Sequence, residues 1–121
     1  MRKNILVVDD SESIRSLVQT VLENADYNVI LANNGKDALK KLDEEKVHMV
    51  LTDLHMPEMN GMELISAIRQ REDYRYVPIL FLTTETKSEM KVAAKKAGAT
   101  GWITKPFDND KLLRVIKRVV R

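Results

Sequence analysis

Along the chain, short aliphatic runs alternate with longer amphipathic stretches. Strands are predicted over Asn4–Asp9, Tyr27–Ala32, Val47–Asp53, Pro78–Thr83 and Thr100–Thr104, each bounded by turn or polar residues. The gaps between them predict helices over Glu12–Asn24, Gly35–Glu45, Gly61–Glu72, Ser88–Ala97 and Asp108–Val120. Strand and helix therefore alternate from end to end, without a repeat of solenoid length or a low-complexity linker.

The runs Ile5-Leu6-Val7-Val8, Met49-Val50-Leu51 and Ile79-Leu80-Phe81-Leu82 are apolar at consecutive positions. A strand needs that pattern when helices cover both of its faces, so these read as central strands of a parallel sheet. The second strand and the fifth, around Trp102-Ile103, are more mixed and suit the edges. The expected fold class is α/β, a doubly wound five-stranded parallel sheet of flavodoxin-like (βα)5 topology with strand order 2-1-3-4-5. Ligands of such a sheet bind beyond the carboxyl ends of its strands.

A chain of 121 residues fits one domain with a sizeable core, so residues 1–121 are expected to form a single unit. With no cysteine, a disulfide framework, a thiolate metal site and a cysteine nucleophile are all excluded. No apolar run is long enough to cross a bilayer, and the N-terminal run stops at two aspartates, unlike a secretory signal. A cytoplasmic location without membrane attachment is the expectation. Twenty basic residues against 18 acidic ones give a net charge of only +2, with no reading motif or basic arm, so no nucleic-acid partner is expected.

The predicted strand ends carry the chemistry. Strand one ends in Asp9-Asp10, strand three in Asp53, strand four in Thr83, and Lys105 follows strand five. Three carboxylates brought together repel one another unless a cation lies between them, and hard oxygen donors favour Mg²⁺. Because Mg²⁺ keeps several waters, Asp10 and Asp53 are expected as direct ligands, Asp9 mainly through water, and the backbone carbonyl of His55 completes the set. With the metal sharing the charge of an incoming phosphoryl group, Asp53 can attack phosphorus and become an aspartyl phosphate. The Thr83 hydroxyl and the Lys105 ammonium would each hold a phosphoryl oxygen. Pro106 restricts the backbone of Lys105 and admits a cis peptide.

Taken together, Val7-Val8-Asp9-Asp10, the segment Thr52-Asp53-Leu54-His55-Met56-Pro57 followed by Gly61, Leu82-Thr83 and Lys105-Pro106-Phe107 resemble the receiver domain of bacterial two-component response regulators. The likeness spans essentially the whole chain. It implies Asp53 as phosphoacceptor, Asp9 and Asp10 as metal residues, Thr83 and Lys105 as phosphoryl-binding residues, and a histidine kinase as donor. A chain ending this soon after its fifth helix, without an output domain, is similar to the single-domain CheY-like chemotaxis members. That similarity implies a flagellar motor switch or another target protein as partner, and a phosphatase acting on the phosphorylated form. A phosphorelay intermediate, passing its phosphate to a histidine phosphotransfer protein, would use the same site.

Trp102 stands where the family usually has Tyr or Phe and is the expected switch aromatic, moving with Thr83; its plainer reading is an edge aromatic. Thr84, at a position commonly small in the family, is expected to narrow access to Asp53. His55 and Glu85 border the path of the attacking water in the family and are expected to tune the phosphate lifetime. His48 and the methionines Met49, Met56, Met59, Met62 and Met90 read as structural. On the last helix Leu112, Leu113, Val115, Ile116, Val119 and Val120 form an apolar stripe, opposite Lys111, Arg114, Lys117, Arg118 and Arg121. That basic face is either simply solvated or suited to an acidic partner beside Trp102.

Two rivals fit less well. A Mg²⁺-dependent aspartyl-phosphate phosphatase needs a second Asp two residues after the nucleophile, where this chain has His55, and a cap domain. A nucleotide carrier needs a phosphate-cradling glycine loop, whereas the first strand leads into Asp9-Asp10-Ser11-Glu12. The chain is therefore not expected to be an enzyme with an independent substrate.

Overall fold

The computed structural model describes residues 2–120. Its strands are β1 (Asn4–Val8), β2 (Asn28–Ala32), β3 (Met49–Thr52), β4 (Ile79–Thr83) and β5 (Gly101–Thr104). All pair in parallel, in the order β2-β1-β3-β4-β5. Between them run α1 (Glu12–Asn24), α2 (Gly35–Glu44), α3 (Gly61–Arg69) and α4 (Ser88–Ala97), with α5 (Asn109–Val119) closing the chain. The expected doubly wound sheet and its strand order are both present.

Consecutive residues of each central strand feed opposite faces. Leu6, Val8, Val50, Ile79 and Phe81 join Leu42, Leu64, Ile65, Ile68 and Ala94 in one core, under α2, α3 and α4. Ile5, Val7, Met49, Leu51, Leu80 and Leu82 join Val18, Leu22, Leu112 and Ile116 in the other, under α1 and α5. This explains the unbroken apolar runs, and each aliphatic side chain so buried contributes roughly 1.5–3 kcal/mol. Met49 and Met56 are buried, and Met59, Met62 and Met90 pack against the first core, as their structural reading required.

Polar caps set where the helices start. Ser11, Asn34 and Asp108 each accept a backbone N–H from the first turn of α1, α2 and α5. Asn60 and Glu63 form a reciprocal capping box on α3. The strands are shorter than expected for local reasons. The Tyr27 N–H is taken by Leu22 O of α1 at 3.1 Å, the Val47 N–H by the Tyr74 hydroxyl at 3.2 Å, and Pro78 has no N–H to offer. α3 stops at Arg69, and Glu72–Tyr74 forms a separate 3-10 turn. Among the described residues no helix is long and apolar enough to cross a membrane.

Candidate functional site

The sheet's hydrogen bonding runs past the strand ends into the reactive residues. Asp9 N–H donates to Ala32 O at 3.2 Å, Asp53 N–H to Val8 O at 2.9 Å, and Lys105 N–H to Thr83 O at 2.8 Å. Parallel pairing thus holds the backbones at the ends of β1, β3 and β5 in fixed register, and their side chains meet. The Lys105 Nζ donates to Asp9 Oδ2 at 2.8 Å and lies 3.5 Å from Asp53 Oδ2. Lys105 precedes Pro106 through a cis peptide bond.

The two buried or part-buried acids are oriented from the other side as well. Asp9 is only 3% exposed, and its Oδ1 accepts the Ser11 N–H at 2.9 Å. The Asp53 Oδ1 accepts the Leu54 N–H at 2.7 Å and, more weakly, the His55 N–H at 3.4 Å. Asp10 is different: it is exposed, and its carboxylate has no hydrogen-bond partner among the described residues. One oxygen from each of Asp9, Asp10 and Asp53 falls within 4.8 Å of the others.

Three carboxylates share one ammonium, and Asp9, Asp53 and Lys105 are largely shielded from solvent, so negative charge remains uncompensated there. The donor set is all oxygen, with one carboxylate free and another fixed beside it, and it fits a small hard dication such as Mg²⁺. Asp10 and Asp53 would supply the direct carboxylate ligands. Asp9 already spends both carboxylate oxygens on Ser11 and Lys105, which suits a role through water. The His55 carbonyl accepts no hydrogen bond among the described residues and is free to complete the set.

Thr83 is fully buried at the end of β4, where its Oγ1 accepts the Glu85 N–H at 3.3 Å and makes no bond to Asp53 or to the Lys105 amine. The His55 Nε2, two residues beyond Asp53, lies 3.1 Å from Glu85 Oε1, two residues beyond Thr83. The Glu85 carboxyl is held below its ordinary range, first by the Lys87 N–H at 3.2 Å and then by His55. The Glu85 carbonyl in turn accepts the Trp102 Nε1–H at 3.1 Å. Trp102 is half-buried with its ring edge on Phe81, the centroids 5.5 Å apart. Thr84 is exposed and lines, with Ile14, Leu17, Pro106 and Phe107, an apolar hollow of about 330 Å³ beside Lys105.

One participant was not foreseen. Arg15, on α1, donates its Nη1–H to the Asp9 carbonyl at 2.6 Å. A lone arginine six residues after an aspartate carries no pattern that distinguishes it from an ordinary helix-surface cation.

Comparison with known proteins agrees with this geometry. The sequence profile of the response regulator receiver domain matches residues 5–117, and the chain belongs to that family. It is 39% identical over 121 residues to the alkaline phosphatase synthesis transcriptional regulatory protein PhoP of Bacillus subtilis, covering all of this chain and 50% of that protein. The chain thus spans about half the length of that curated relative. The chemotaxis response regulator CheY4 of Vibrio cholerae is 42% identical, with a TM-score of 0.95 over 98% of this chain and 99% of that one. The receiver domain of the sensor histidine kinase PA1611 from Pseudomonas aeruginosa is 26% identical, with a TM-score of 0.90 over 99% of this chain and 98% of that one. In that structure a magnesium ion is coordinated in the active-site cleft. The protein is therefore a response-regulator receiver domain, a module of phosphorylation-dependent signalling.

Proposed function

We propose that Asp53 accepts a phosphoryl group from the phosphohistidine of a histidine kinase, and that this switches a protein-binding surface. The observation that carries the reading is the position of the Lys105 ammonium, 3.5 Å from Asp53 Oδ2 and 2.8 Å from Asp9 Oδ2. In the transfer, a carboxylate oxygen of Asp53 forms a bond to phosphorus. The phosphorus–nitrogen bond of the donor breaks, and its electron pair returns to the imidazole. Lys105 neutralises a phosphoryl oxygen during and after transfer. A bound Mg²⁺ would supply Lewis-acid stabilisation of the phosphoryl charge. Water later cleaves the acyl phosphate, so the chain is read as a self-dephosphorylating acceptor and not as an enzyme with an independent substrate. His55 and Glu85, paired with each other, are read as the residues that set how fast that water arrives.

The switch follows from one chain of contacts. A phosphoryl oxygen on Asp53 would accept the proton of the Thr83 hydroxyl, and drawing that hydroxyl toward it stretches the weak bond Oγ1 accepts from the Glu85 N–H at 3.3 Å. Movement of the segment at Glu85 then releases or redirects Trp102, whose indole N–H is held by the Glu85 carbonyl. The surface that changes comprises α4, β5 and α5, where Lys111, Arg114, Lys117 and Arg118 are all exposed and suit an acidic partner. Likeness to CheY4 over nearly the full length of both chains supports an output in chemotaxis, through a flagellar motor switch or a comparable cytoplasmic target. A phosphorelay intermediate would use the same site. Capturing partners on the phosphorylated and unphosphorylated chain separates the two readings, since a relay retains only a histidine phosphotransfer protein.

The deciding experiment is intact mass spectrometry after incubation with acetyl phosphate and Mg²⁺. One phosphoryl group is expected on the wild type and none on Asp53→Asn or on a chelated sample. A wild type that stays unmodified under saturating donor and metal would remove the reading.

A further inference from the structure

We infer that Arg15 is a positioning residue for the metal site, acting by clamping the peptide bond that joins Asp9 to Asp10. The inference rests on the reading of the three aspartates as a magnesium site. The carbonyl that Arg15 Nη1 holds at 2.6 Å belongs to that peptide. Because the peptide unit is planar, fixing its oxygen fixes the orientation of the Asp10 nitrogen and Cα as well.

Among the described residues, the Asp10 N–H donates to no acceptor and the Asp9 carbonyl accepts from no other donor. Asp9 itself is anchored through its N–H and both carboxylate oxygens, by Ala32, Ser11 and Lys105. Among the described residues Asp10 makes no hydrogen bond of its own: it leaves the end of the sheet, is exposed, and has an unpaired carboxylate. Its aim therefore depends on the peptides on either side of it, the one to Ser11 held by the Asp9 carboxylate and the one to Asp9 held by Arg15. The guanidinium is also used in an unusual way. Arg15 is half-buried on the helix that follows Asp9 and Asp10, yet it forms no ion pair among the described residues and gives its hydrogen bond to a neutral carbonyl. A cation whose only task was to offset negative charge would be paired with a carboxylate.

Two effects of removing Arg15 oppose each other, and their signs differ. Loss of a positive charge near the site would by itself draw a dication more strongly. Loss of the clamp lets the Asp10 carboxylate swing and weakens binding. Residues that orient metal ligands typically change affinity by 10- to 100-fold when removed, so the clamp should dominate.

The test is calorimetric titration of the whole chain with Mg²⁺, in parallel with the metal dependence of acetyl phosphate labelling. Arg15→Met is expected to bind Mg²⁺ about tenfold more weakly. Its labelling should need correspondingly more metal yet reach the wild-type extent at saturation. Arg15→Lys, which keeps a long-armed donor, is expected to recover most of the loss. If the Met variant does not fold, Arg15→Ala replaces it, since alanine is the strongest helix former on α1. A wild type that binds Mg²⁺ alongside an Arg15→Met or Arg15→Ala chain that binds it as tightly, or more tightly, overturns this inference alone. A wild type that binds no Mg²⁺ overturns it together with the metal site.

Discussion

His55 and Glu85, from the loops that follow Asp53 and Thr83, approach each other across 30 positions of the chain, with 3.1 Å between Nε2 and Oε1. The imidazole is 59% exposed and the carboxylate 16%, so the pair adds little to stability. Its effect should be on water. If the pair limits the approach of water to a phosphorylated Asp53, His55→Ala shortens the phosphate half-life by at least about twofold, the lower end of coupling between contacting side chains. Once His55 is gone, Glu85→Ala should add nothing further, because the pair is already broken. Decay of the phosphorylated mass after donor removal measures both, and strictly additive single effects would show that the two residues do not act as a unit. The types of residue needed at this site were legible in the sequence, since acids, hydroxyl and amine all fall at strand ends. Their partners were not: the bonds of Thr83 to Glu85 N–H and of Glu85 O to Trp102 depend on loop paths that no local spacing encodes.

At the scale of elements, α3 is what holds the loop carrying Asp53. Its capping box fixes the first turn, and the Gly61 N–H donates to Leu54 O at 2.7 Å. A Cβ at Gly61 would lie 2.5 Å from Phe81 Cε1, 2.6 Å from Asp53 O and 2.9 Å from Leu54 Cα. Two of those neighbours are backbone and cannot rotate away, so the helix start and the Asp53 peptide would have to separate. Helix propensity favours alanine over glycine by about 1 kcal/mol, but overpacking of this kind costs roughly 1–3 kcal/mol. Gly61→Ala is therefore expected to lower the urea midpoint at unchanged slope, with a net loss of about 1 kcal/mol, and to slow labelling of Asp53. A variant as stable and as rapidly labelled as wild type would show that the contact relaxes freely. The sequence located α3 by its periodicity and the motif glycine by resemblance. The helix ends earlier than its periodicity suggests because the backbone tightens after Arg69, with the Arg71 N–H on Ile68 O at 3.0 Å and the Tyr74 N–H on Arg71 O at 3.0 Å, while the Arg69 guanidinium ties this end to Gly98 O at 2.7 Å and Tyr74 O at 3.1 Å, tertiary contacts that propensity does not report.

For the molecule as a whole, the two ends of the sheet do different work, and only one was legible beforehand. The carboxyl ends announce themselves by charge. The amino ends are joined by neutral polar contacts: the Asn4 N–H donates to His48 Nδ1 at 2.9 Å, the His48 N–H to Asn4 O at 2.9 Å, and the Asn4 side chain reaches Lys46 O at 2.7 Å. His48 was expected to be structural, and this is how. Since Nδ1 accepts a hydrogen bond, the ring must be neutral with its proton on Nε2. Burial first, and then the charges of Lys3 and Lys46, hold its pKa below the ordinary histidine value. The sign of the consequence is fixed. Above the unfolded value near 6.5, neither state carries the proton and the contact is intact. As pH falls below that value the unfolded chain takes up a proton that the folded chain resists, so stability declines until the folded pKa is passed. Unfolding midpoints measured between pH 8 and pH 5 should fall more steeply for wild type than for His48→Gln, which cannot titrate, while His55 is common to both chains. Parallel curves would mean that His48 titrates alike in both states and that the stitch between β1 and β3 does not depend on its neutral form.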